Sequence, residues 1–331
     1  MQALIVGLGS IGKRHLINLR TILPKAEITI YRHHESAGND LDLYPQANRC
    51  VYSLADAIAI EPEITIIANP ASLHVETALK LAQAGSSLLI EKPVSNSIKG
   101  VHELISLCAS RGLTLMIGYN LRFQQAMQTM RQQVLNGSIG KIQCLLAEIG
   151  QYLPDWRPES DYSLGVSAQR RLGGGVILEL SHELDYARWL MGEVKSVSAQ
   201  SKKLSDLQIN VEDIANIQLT FNSGALGNIH LNMIQRDSSR SCKLIGTEGT
   251  LKWDGILNRV NLYSAKTRAW HLIFDKEGAN RNEMYVNELQ YFLDCVSTGS
   301  KPLTSGEDGL RVLEIALAAH KSARLQKTVV V

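Results

Sequence analysis

An apolar run that leads directly into a glycine-rich turn constrains this chain more than any other stretch. Ala3–Val6 reads as a strand, and Gly7–Gly12 follows with the spacing Gly-x-Gly-x-x-Gly. In such a unit the first glycine permits the tight turn, the second lets a pyrophosphate approach the backbone, and the third lets the helix pack on the strand. The helix N-terminus adds N–H groups and the positive end of its dipole. The motif therefore predicts a dinucleotide site at Gly7, Gly9, Ser10, Ile11 and Gly12, provided that strands and helices alternate around it.

The first third of the chain supplies that alternation. Strands are predicted at Ala3–Val6, Ile28–Tyr31, Ile64–Ala68, Ser87–Ile90 and Leu113–Ile117. Helices are predicted at Ile11–Thr21, Leu54–Ala59, Ser72–Ala84 and Ile98–Arg111. Ser72 and Ser97 are candidate N-caps, and Gly85 and Gly112 are candidate C-terminal stops. Continuous apolar strands that alternate with helices are typical of a doubly wound parallel sheet of the Rossmann type.

The remaining two thirds predict a different architecture. A helix at Gln124–Leu135 precedes longer strands joined by short turns, such as Asn222-Ser223-Gly224. The strands are predicted at Lys141–Tyr152, Val194–Lys203, Ile214–Phe221, Ala225–Ile234, Cys242–Gly246, Thr250–Trp253 and His271–Asp275. Short connections predict a large, open and mostly antiparallel sheet. We therefore predict an α/β protein with a Rossmann domain at 1–121 and a second α/β domain at 122–331. The helices predicted at Asn287–Ser297 and Glu307–Gln326 are candidates to pack back on the first domain.

The end of the second strand bears on the choice of cofactor. An acidic residue about 20 residues after the glycines would hold the ribose hydroxyls of NAD. The chain instead reads Tyr31-Arg32-His33-His34, and Glu35 follows late. The guanidinium of Arg32 is suited to a 2′-phosphate, which favours NADP weakly over NAD. The alternative is that Arg32 stacks on adenine and does not select a cofactor.

Polar clusters follow three further strands at the edge where parallel sheets bind ligands. They are Asn69-Pro70 with His74, Glu91-Lys92-Pro93, and Gly118–Phe123, which includes Asn120 and Arg122. We expect Asn69, Pro70, His74, Glu91 and Lys92 to line the cofactor. For His74 alone, a local hydrogen bond at a helix start is the simpler interpretation.

A helix predicted over 176–191 carries the next candidate group. It follows Gly173-Gly174-Gly175 and contains Glu179, His182 and Asp185. On one continuous helix these three residues lie along one side, with the histidine between two carboxylates. Such a histidine is suited to accept a proton near neutral pH. The alternative is an exposed polar face of an amphipathic helix.

Composition narrows the classes of function and the compartment. A net charge of +2 gives no support for nucleic acid or membrane-surface binding, and no apolar run reaches the roughly 18 residues of a membrane helix. The N-terminus reads as a strand rather than a signal peptide. Five scattered cysteines without metal-ligand spacing predict reduced thiols, no metal site and a cytoplasmic location.

Taken together, these motifs resemble the Gfo/Idh/MocA oxidoreductases, the family of glucose–fructose oxidoreductase and inositol dehydrogenase. The matching features are the glycine turn, Glu91-Lys92-Pro93, Tyr119–Phe123, and Gly173–Gly175 with the helix that follows. The downstream strands and the turn Gly246–Thr250 resemble the second domain of that family. The resemblance therefore covers nearly the whole chain.

The resemblance implies specific roles. Nicotinamide binds the Rossmann domain, and a sugar or polyol binds in the cleft between the domains. Lys92 matches the lysine that contacts substrate and cofactor, and His182 matches the histidine that exchanges the hydroxyl proton. The family places an aspartate four residues before that histidine, where this chain has Leu178, and Glu179 is the nearby acid. The open sheet implies a homodimer or homotetramer.

The expected reaction is the reversible oxidation of a secondary alcohol on a sugar, polyol or sugar nucleotide with NAD or NADP. We expect Lys92, His182 and Glu179 to be catalytic, and Asn120, Arg122, Trp156 and Arg157 to contact substrate. Arg157, Arg170 and Arg171 suggest an anionic sugar, although solvated loop arginines explain them equally well. One alternative is an enzyme that recycles a bound cofactor, such as an aldose–ketose oxidoreductase or an NAD-dependent glycosidase. The other is a cofactor-binding sensor or regulatory subunit without turnover.

Overall fold

The computed structural model describes residues 1–33 and 40–331, so His34 and Glu35 lie outside the described residues. Two compact units divide the chain. The first unit comprises Met1–Asn120 and Asn282–Arg311, and the second comprises Leu121–Arg281 and Val312–Val331. Each unit has its own sheet and its own buried core.

The described strands of the first unit form a six-stranded parallel sheet in the order β3-β2-β1-β4-β5-β6. In chain order the strands are β1 (Gln2–Val6), β2 (Glu27–Tyr31), β3 (Arg49–Val51), β4 (Ile64–Ile67), β5 (Ser87–Glu91) and β6 (Leu115–Gly118). The helices are α1 (Ser10–Ile22), α2 (Asp40–Leu43), α3 (Leu54–Ala59), α4 (His74–Gln83) and α5 (Val101–Ser110). The central strands are buried on both faces, because helices cover both sides of such a sheet. This confirms the predicted doubly wound sheet.

Four local features of this unit differ from the prediction. The short strand β3 and the helix α2 were not predicted, because three and four residues carry too little periodicity. Neither Ser72 nor Ser97 is an N-cap: α4 follows a 3-10 turn at Ala71–Leu73, and α5 begins after Gly100. Gly100 has a φ of +77°, which a glycine adopts without strain. Gly85 and Gly112 have φ values of +96° and +64°, as expected for helix stops.

A later segment completes the first unit. The helix α9 (Glu283–Thr298) belongs to it, and Asn282 before the helix exchanges side-chain hydrogen bonds of 2.8 and 3.2 Å with Asn18 of α1. Met116 of β6 pairs with Ser305. Gly309 packs so closely that a Cβ there would lie 2.6 Å from Ile117 Cγ1. The first unit is therefore built from two separate parts of the chain.

The second unit holds a nine-stranded, mostly antiparallel sheet, counted over the described residues, in the order β14-β13-β12-β11-β7-β10-β9-β8-β15. Its strands are β7 (Ile142–Gly150), β8 (Val194–Lys202), β9 (Ile214–Phe221), β10 (Leu226–Asn232), β11 (Ser239–Gly246), β12 (Gly249–Asp254), β13 (Arg259–Ser264), β14 (Ala269–Asp275) and β15 (Val329–Val330). Only the pair β7–β10 runs parallel among the strand pairs of this part of the described chain. The open sheet is thus confirmed, and β13 and β15 are additions to the prediction.

One face of this sheet is apolar and buried, whereas the other is largely polar. The buried face includes Leu145, Ile217, Leu244 and Trp253. The helices near the sheet are α6 (Gln125–Leu135), α7 (Val176–Glu179), α8 (His182–Met191) and α10 (Gly306–Leu325), the last of which crosses the division between the units. Shorter 3-10 segments lie at Asn120–Phe123, Leu153–Trp156, Tyr162–Leu164, Val166–Ala168 and Arg170–Leu172.

The single helix predicted over 176–191 is wrong in one important detail. It breaks after Glu179, where Leu180 has φ −100° and ψ 30°. The backbone N–H groups of Ser181 and Glu183 bond three residues back, to Leu178 and Leu180, instead of four. Glu179 therefore ends α7 and His182 begins α8, so the predicted spacing along one helix face does not apply. The helix α8 stops at Gly192, as predicted.

None of the helices in the described residues has the length and apolarity needed to cross a membrane. All five cysteines are free thiols, and Cys108, Cys242 and Cys295 are buried. Burial raises the pKa of Cys108 to about 11.

Candidate functional site

The glycine turn of the first unit is shaped by close backbone packing. Gly7 has a φ of +85°, and a Cβ there would lie 2.8 Å from the backbone nitrogen of Asn69. A Cβ on Gly12 would collide with the carbonyl oxygen of Gly7. Both positions therefore require glycine, since the colliding atoms are backbone atoms that cannot move aside.

The start of α1 has the features of an anion site. Gly9 is its N-cap, and the helix has no side-chain cap among the described residues. A Cβ on Gly9 would meet no described atom within 4 Å, so the space beside the turn is open. A helix start without a side-chain cap, with open space beside Gly9, fits a pyrophosphate. Ser10 and Ile11 lie in this first turn, where the sequence predicted cofactor contacts.

Arg32, at the end of β2, already has an acidic partner. Its guanidinium forms an ion pair with Asp40, whose side chain is fully buried and also accepts a hydrogen bond of 2.8 Å from Tyr52. The guanidinium also lies 5.6 Å from the ring centre of Tyr44. The sequence did not reveal this pair, because Asp40 follows a segment without a clear pattern.

Asn69 and His74 connect two neighbouring strand ends. His74 is 1% exposed, with Nε2 2.7 Å from the Asn69 carbonyl oxygen and Nδ1 2.9 Å from the Pro93 carbonyl oxygen. The Asn69 amide donates to Thr77 Oγ1 at 3.2 Å. Burial lowers the pKa of His74, and the two carbonyls and Glu91 oppose that shift only in part. His74 therefore lies between the Asn69-Pro70 loop and the Lys92-Pro93 loop, with one carbonyl oxygen of each loop within hydrogen-bond distance of a ring nitrogen.

The Glu91-Lys92-Pro93 segment ends β5 beside that loop. Glu91 and Pro93 are buried, whereas Lys92 between them is half-buried. Glu91 Oε1 lies 2.7 Å from Nε2 of the fully buried His15, and Glu91 Oε2 accepts a hydrogen bond of 3.3 Å from the Lys92 backbone N–H. The flanking residues are thus fixed in the protein interior.

Asn120 follows β6, the next strand of the same sheet. It is 4% exposed and shares a hydrogen bond with Tyr285 of α9. Burial, and then the charge of Glu91, raises the pKa of Tyr285. The first unit therefore places the glycine turn and the residues Asn69, Lys92 and Asn120 at the carboxyl ends of four adjacent strands, as the sequence predicted.

In the second unit, Arg122 forms a buried ion pair with Asp185 of α8. Its Nε and a terminal nitrogen donate to the two carboxylate oxygens at 3.0 and 2.6 Å, and both side chains are at most 3% exposed. The guanidinium lies 5.5 Å from the ring centre of Trp189. The sequence predicted Arg122 as a substrate contact. That role stays a prediction, and the ion pair anchors the helix that begins with His182.

A second ion pair anchors the same helix to the sheet. Glu183 is fully buried and accepts a hydrogen bond of 2.8 Å from Arg240 Nε of β11. Tyr186, one turn further, packs edge-on against Trp253 with ring centres 5.9 Å apart. Residues 183 and 185 thus hold α8 on two sides, and neither contact was predicted.

The start of α7 is held by Glu212. The Glu212 backbone oxygen accepts from the Val176 N–H at 3.1 Å, and its carboxylate accepts from the Ile177 N–H at 3.3 Å. Gly175 has a φ of +111°, and the Glu212 carboxylate occupies the space that a Cβ there would need. The glycine run therefore allows Glu212 to reach the helix that ends at Glu179. Glu179 and His182 are both half-buried.

Trp156 and Arg157 lie in the loop after β7. Trp156 Nε1 donates to the Gln151 carbonyl oxygen at 3.2 Å, and Arg157 is exposed. Arg170 is also exposed, and its side chain and backbone nitrogen bond to Asn210. Arg171 is exposed as well. These arginines lie at the surface of the second unit.

Comparison with known proteins identifies the class. Residues 1–119 match the model of an oxidoreductase family with an NAD-binding Rossmann fold, and residues 131–331 match the model of the C-terminal α/β domain of that family. These two matches define an oxidoreductase with an NAD-binding domain, and the start of α1 is its candidate anion site. More narrowly, the chain belongs to the Gfo/Idh/MocA oxidoreductase family, which confirms the resemblance found in the sequence.

Individual relatives cover nearly the whole chain. Myo-inositol 2-dehydrogenase of Thermotoga maritima is 27% identical, with 99% of this chain and 98% of the relative aligned. Scyllo-inositol 2-dehydrogenase (NAD(+)) of Bacillus subtilis is 26% identical over 98% of this chain and 94% of the relative. The structure of a levoglucosan dehydrogenase in complex with NADH and levoglucosan has a TM-score of 0.89 and 20% identity, and the match covers 100% of this chain and 99% of that one.

Proposed function

We propose that this protein is an NAD-dependent dehydrogenase that oxidises a secondary alcohol of a sugar or polyol. The observation that carries the proposal is the first unit's sheet edge, where the candidate anion site at α1 and Lys92 lie at the ends of β1 and β5, with β4 between them. The relatives that align over nearly the whole chain are named dehydrogenases of cyclic polyols. We further propose a cytoplasmic location, because free thiols are typical of a reducing compartment.

Each reacting group has a distinct role in this proposal. The nicotinamide cofactor, when bound at the α1 turn, supplies the hydride acceptor. Lys92 donates a hydrogen bond to the substrate oxygen and stabilises the negative charge that develops there. His182 accepts the hydroxyl proton, and Glu179 orients its imidazole. Asn120, Trp156 and Arg157 contact the substrate, whereas Arg122 acts through Asp185 on the position of α8.

The ion pair at the end of β2 favours NAD over NADP. A 2′-phosphate at Arg32 would have to compete with the buried carboxylate of Asp40 and would be repelled by its charge. The hydroxyls of the NAD ribose carry no such charge. We therefore propose that NAD is the cofactor and that the weak preference for NADP drawn from Arg32 alone is reversed by its partner.

The open face of the second sheet supports a homo-oligomer. One register row across it contains Leu226, Cys144, Ile245, Tyr263 and Trp270. Leu226, Trp270 and the nearby Leu272 are each more than half exposed. Large apolar side chains aligned across an open sheet are typical of a protein interface. We propose that a second copy of this chain covers them. Light scattering of Leu226→Lys and Trp270→Lys variants would show monomers, whereas an unchanged mass contradicts the proposal.

The reaction is tested by following NADH production with a substrate panel. Myo-inositol, scyllo-inositol, levoglucosan and D-apiose are offered with NAD or NADP. Lys92→Ala and His182→Ala should lose turnover by about 10²-fold or more. Lys80→Ala and His102→Ala are matched controls, because Lys80 forms an exposed ion pair with Glu76 and His102 is exposed on α5.

Three results would contradict the proposal. Near wild-type turnover in both Lys92→Ala and His182→Ala would show that neither residue has the catalytic role proposed for it. Tightly retained cofactor in the purified protein, without net NADH, indicates an enzyme that recycles its cofactor. Cofactor binding without turnover on any sugar indicates a sensor or regulatory subunit.

A further inference from the structure

The carboxylate of Glu91 is confined on three sides. Oε1 lies 2.7 Å from His15 Nε2, and Oε2 accepts from the Lys92 backbone N–H at 3.3 Å. On the third side is Gly118, where a Cβ would lie 3.2 Å from Glu91 Cδ and Oε2. Any movement of the carboxylate is therefore passed on to the backbone of Lys92.

His15 itself has little freedom to move. It lies on α1, is fully buried, and meets the ring of Tyr285 edge-on with ring centres 6.4 Å apart. The guanidinium of Arg14 covers the same Tyr285 ring at 4.5 Å. The imidazole, which belongs to the cofactor-binding helix α1, is thus held against α9.

The residue after Lys92 is anchored independently. The Pro93 carbonyl oxygen lies 2.9 Å from Nδ1 of the buried His74. Two imidazoles from different helices therefore hold the residues that flank Lys92, and Lys92 alone is partly exposed. Such an arrangement fixes the backbone position from which the Lys92 side chain extends.

We propose that His15 is a positioning residue for Lys92. Through Glu91 it fixes the Lys92 backbone, so that the helix carrying the cofactor turn also sets the direction of the lysine. The proposal rests on the proposed function, in which Lys92 meets the substrate oxygen. It assigns to His15 a part in catalysis without any contact with substrate.

A metal ion is the competing explanation for this cluster. Donor atoms of His15, Glu91 and Glu288 all lie within 4.8 Å of one another. However, the 2.7 Å between His15 Nε2 and Glu91 Oε1 is a hydrogen-bond distance. Two ligands about 2.1 Å from a tetrahedral ion would be about 3.4 Å apart. The geometry therefore favours a hydrogen-bonded network.

The test follows Lys92 directly and needs no known substrate. Lysines are converted to ¹³C-dimethyl lysine, the Lys92 signal is assigned with Lys92→Arg, and NAD⁺ is added. We expect the NAD⁺-induced shift of that signal in the wild type to be lost in His15→Ala. His15→Gln should retain it, because its amide nitrogen can donate from nearly the position of Nε2. With any substrate found in the panel, His15→Ala should lower kcat by about 10²-fold.

Asn18→Ala is the matched control. Asn18 is buried on the same helix and bonds to Asn282, on the α9 side. Its loss should lower the unfolding temperature while leaving the Lys92 signal responsive to NAD⁺. The proposal is overturned if His15→Ala responds like the wild type, or if Asn18→Ala loses the response equally. It is also overturned if mass spectrometry finds one metal ion per chain that His15→Ala lacks. Wild-type turnover in Lys92→Ala would instead overturn the proposed function alone.

Discussion

Lys92 and His182 are held by different kinds of interaction. Hydrogen bonds from two buried imidazoles fix the residues on either side of Lys92. Two ion pairs with buried carboxylates, Arg122–Asp185 and Arg240–Glu183, fix the helix that begins with His182. A hydrogen-bonding imidazole can be replaced by an amide with modest loss, whereas removing one member of an ion pair leaves a buried charge. The α8 helix should therefore be the more costly of the two to disturb.

The largest effect on stability is expected from Arg122→Ala. It leaves the Asp185 carboxylate buried without its bidentate partner, which should destabilise the second unit by about 3–5 kcal/mol. Arg188→Ala is the control, because its pair with Glu193 is partly exposed and should contribute at most about 1 kcal/mol. Urea unfolding followed by Trp fluorescence measures both. Equal losses for the two variants would show that α8 is not held by its buried pair.

The next effect concerns the start of α7. Gly175→Ala forces a side chain at a φ of +111° against the Glu212 carboxylate, and we expect a loss of about 1–3 kcal/mol. Gly192→Ala has a similar φ of +90° but meets no described atom within 4 Å, so it should cost only about 1 kcal/mol. The difference between the two unfolding midpoints measures the contact with Glu212. If there is no difference, Glu212 does not position this helix.

His74, which contacts the Lys92-Pro93 loop, should make the free energy of unfolding depend on pH. Because burial lowers the pKa of His74 below its ordinary value of 6.5, the unfolded chain binds the proton more readily than the folded one. The stabilising contribution is complete above pH 6.5 and is lost as the pH falls below it, by up to about 1.4 kcal/mol per pH unit. His74→Gln should flatten this part of the curve of unfolding free energy against pH. If the His74→Gln curve runs parallel to that of the wild type, His74 does not cause the pH dependence of stability.

The smallest effect on stability is expected at the Arg32–Asp40 ion pair, which should nevertheless affect the selectivity between NADPH and NADH. Arg32 is 24% exposed, so Asp40→Asn leaves a cation that water can partly solvate. Without the competing carboxylate, Arg32 can meet a 2′-phosphate. The affinity for NADPH relative to NADH should rise by about tenfold, or about 1.4 kcal/mol. Fluorescence titration measures both dissociation constants, and Arg32→Ala/Asp40→Asn should abolish the gain.

The candidate site could be predicted from the sequence where its residues form a contiguous motif at the end of a recognisable strand. The glycine turn, Asn69-Pro70 and Glu91-Lys92-Pro93 are contiguous, and the alternation of strands and helices places each at a strand end. The strands of both sheets were predicted with small shifts at their ends, apart from β3, β13 and β15. Local patterns suffice there because the apolar residues that a strand buries are visible as a run or an alternation in its own sequence.

The supporting contacts could not be predicted, because they join residues far apart in the chain. His15 and Glu91 are separated by 76 residues, and Arg122 and Asp185 by 63. No periodicity links such positions, and each residue alone is compatible with a solvated surface. The break in the helix after Glu179 was not predicted for a related reason. Every residue from Val176 to Met191 is compatible with a helix, so tertiary contacts decide where the hydrogen-bond spacing changes.

The discontinuous first unit has a consequence for how the protein is made. Its cofactor fold includes α9, whose Tyr285 packs on His15, yet α9 leaves the ribosome only after strands β7 to β14 of the second sheet have been synthesised. The nascent N-terminal segment must therefore wait with one side of α1 uncovered, although N-terminal domains generally fold first. Translation that stalls before residue 282 would yield a chain whose nucleotide-binding half is unfinished, and such fragments are natural clients for chaperones.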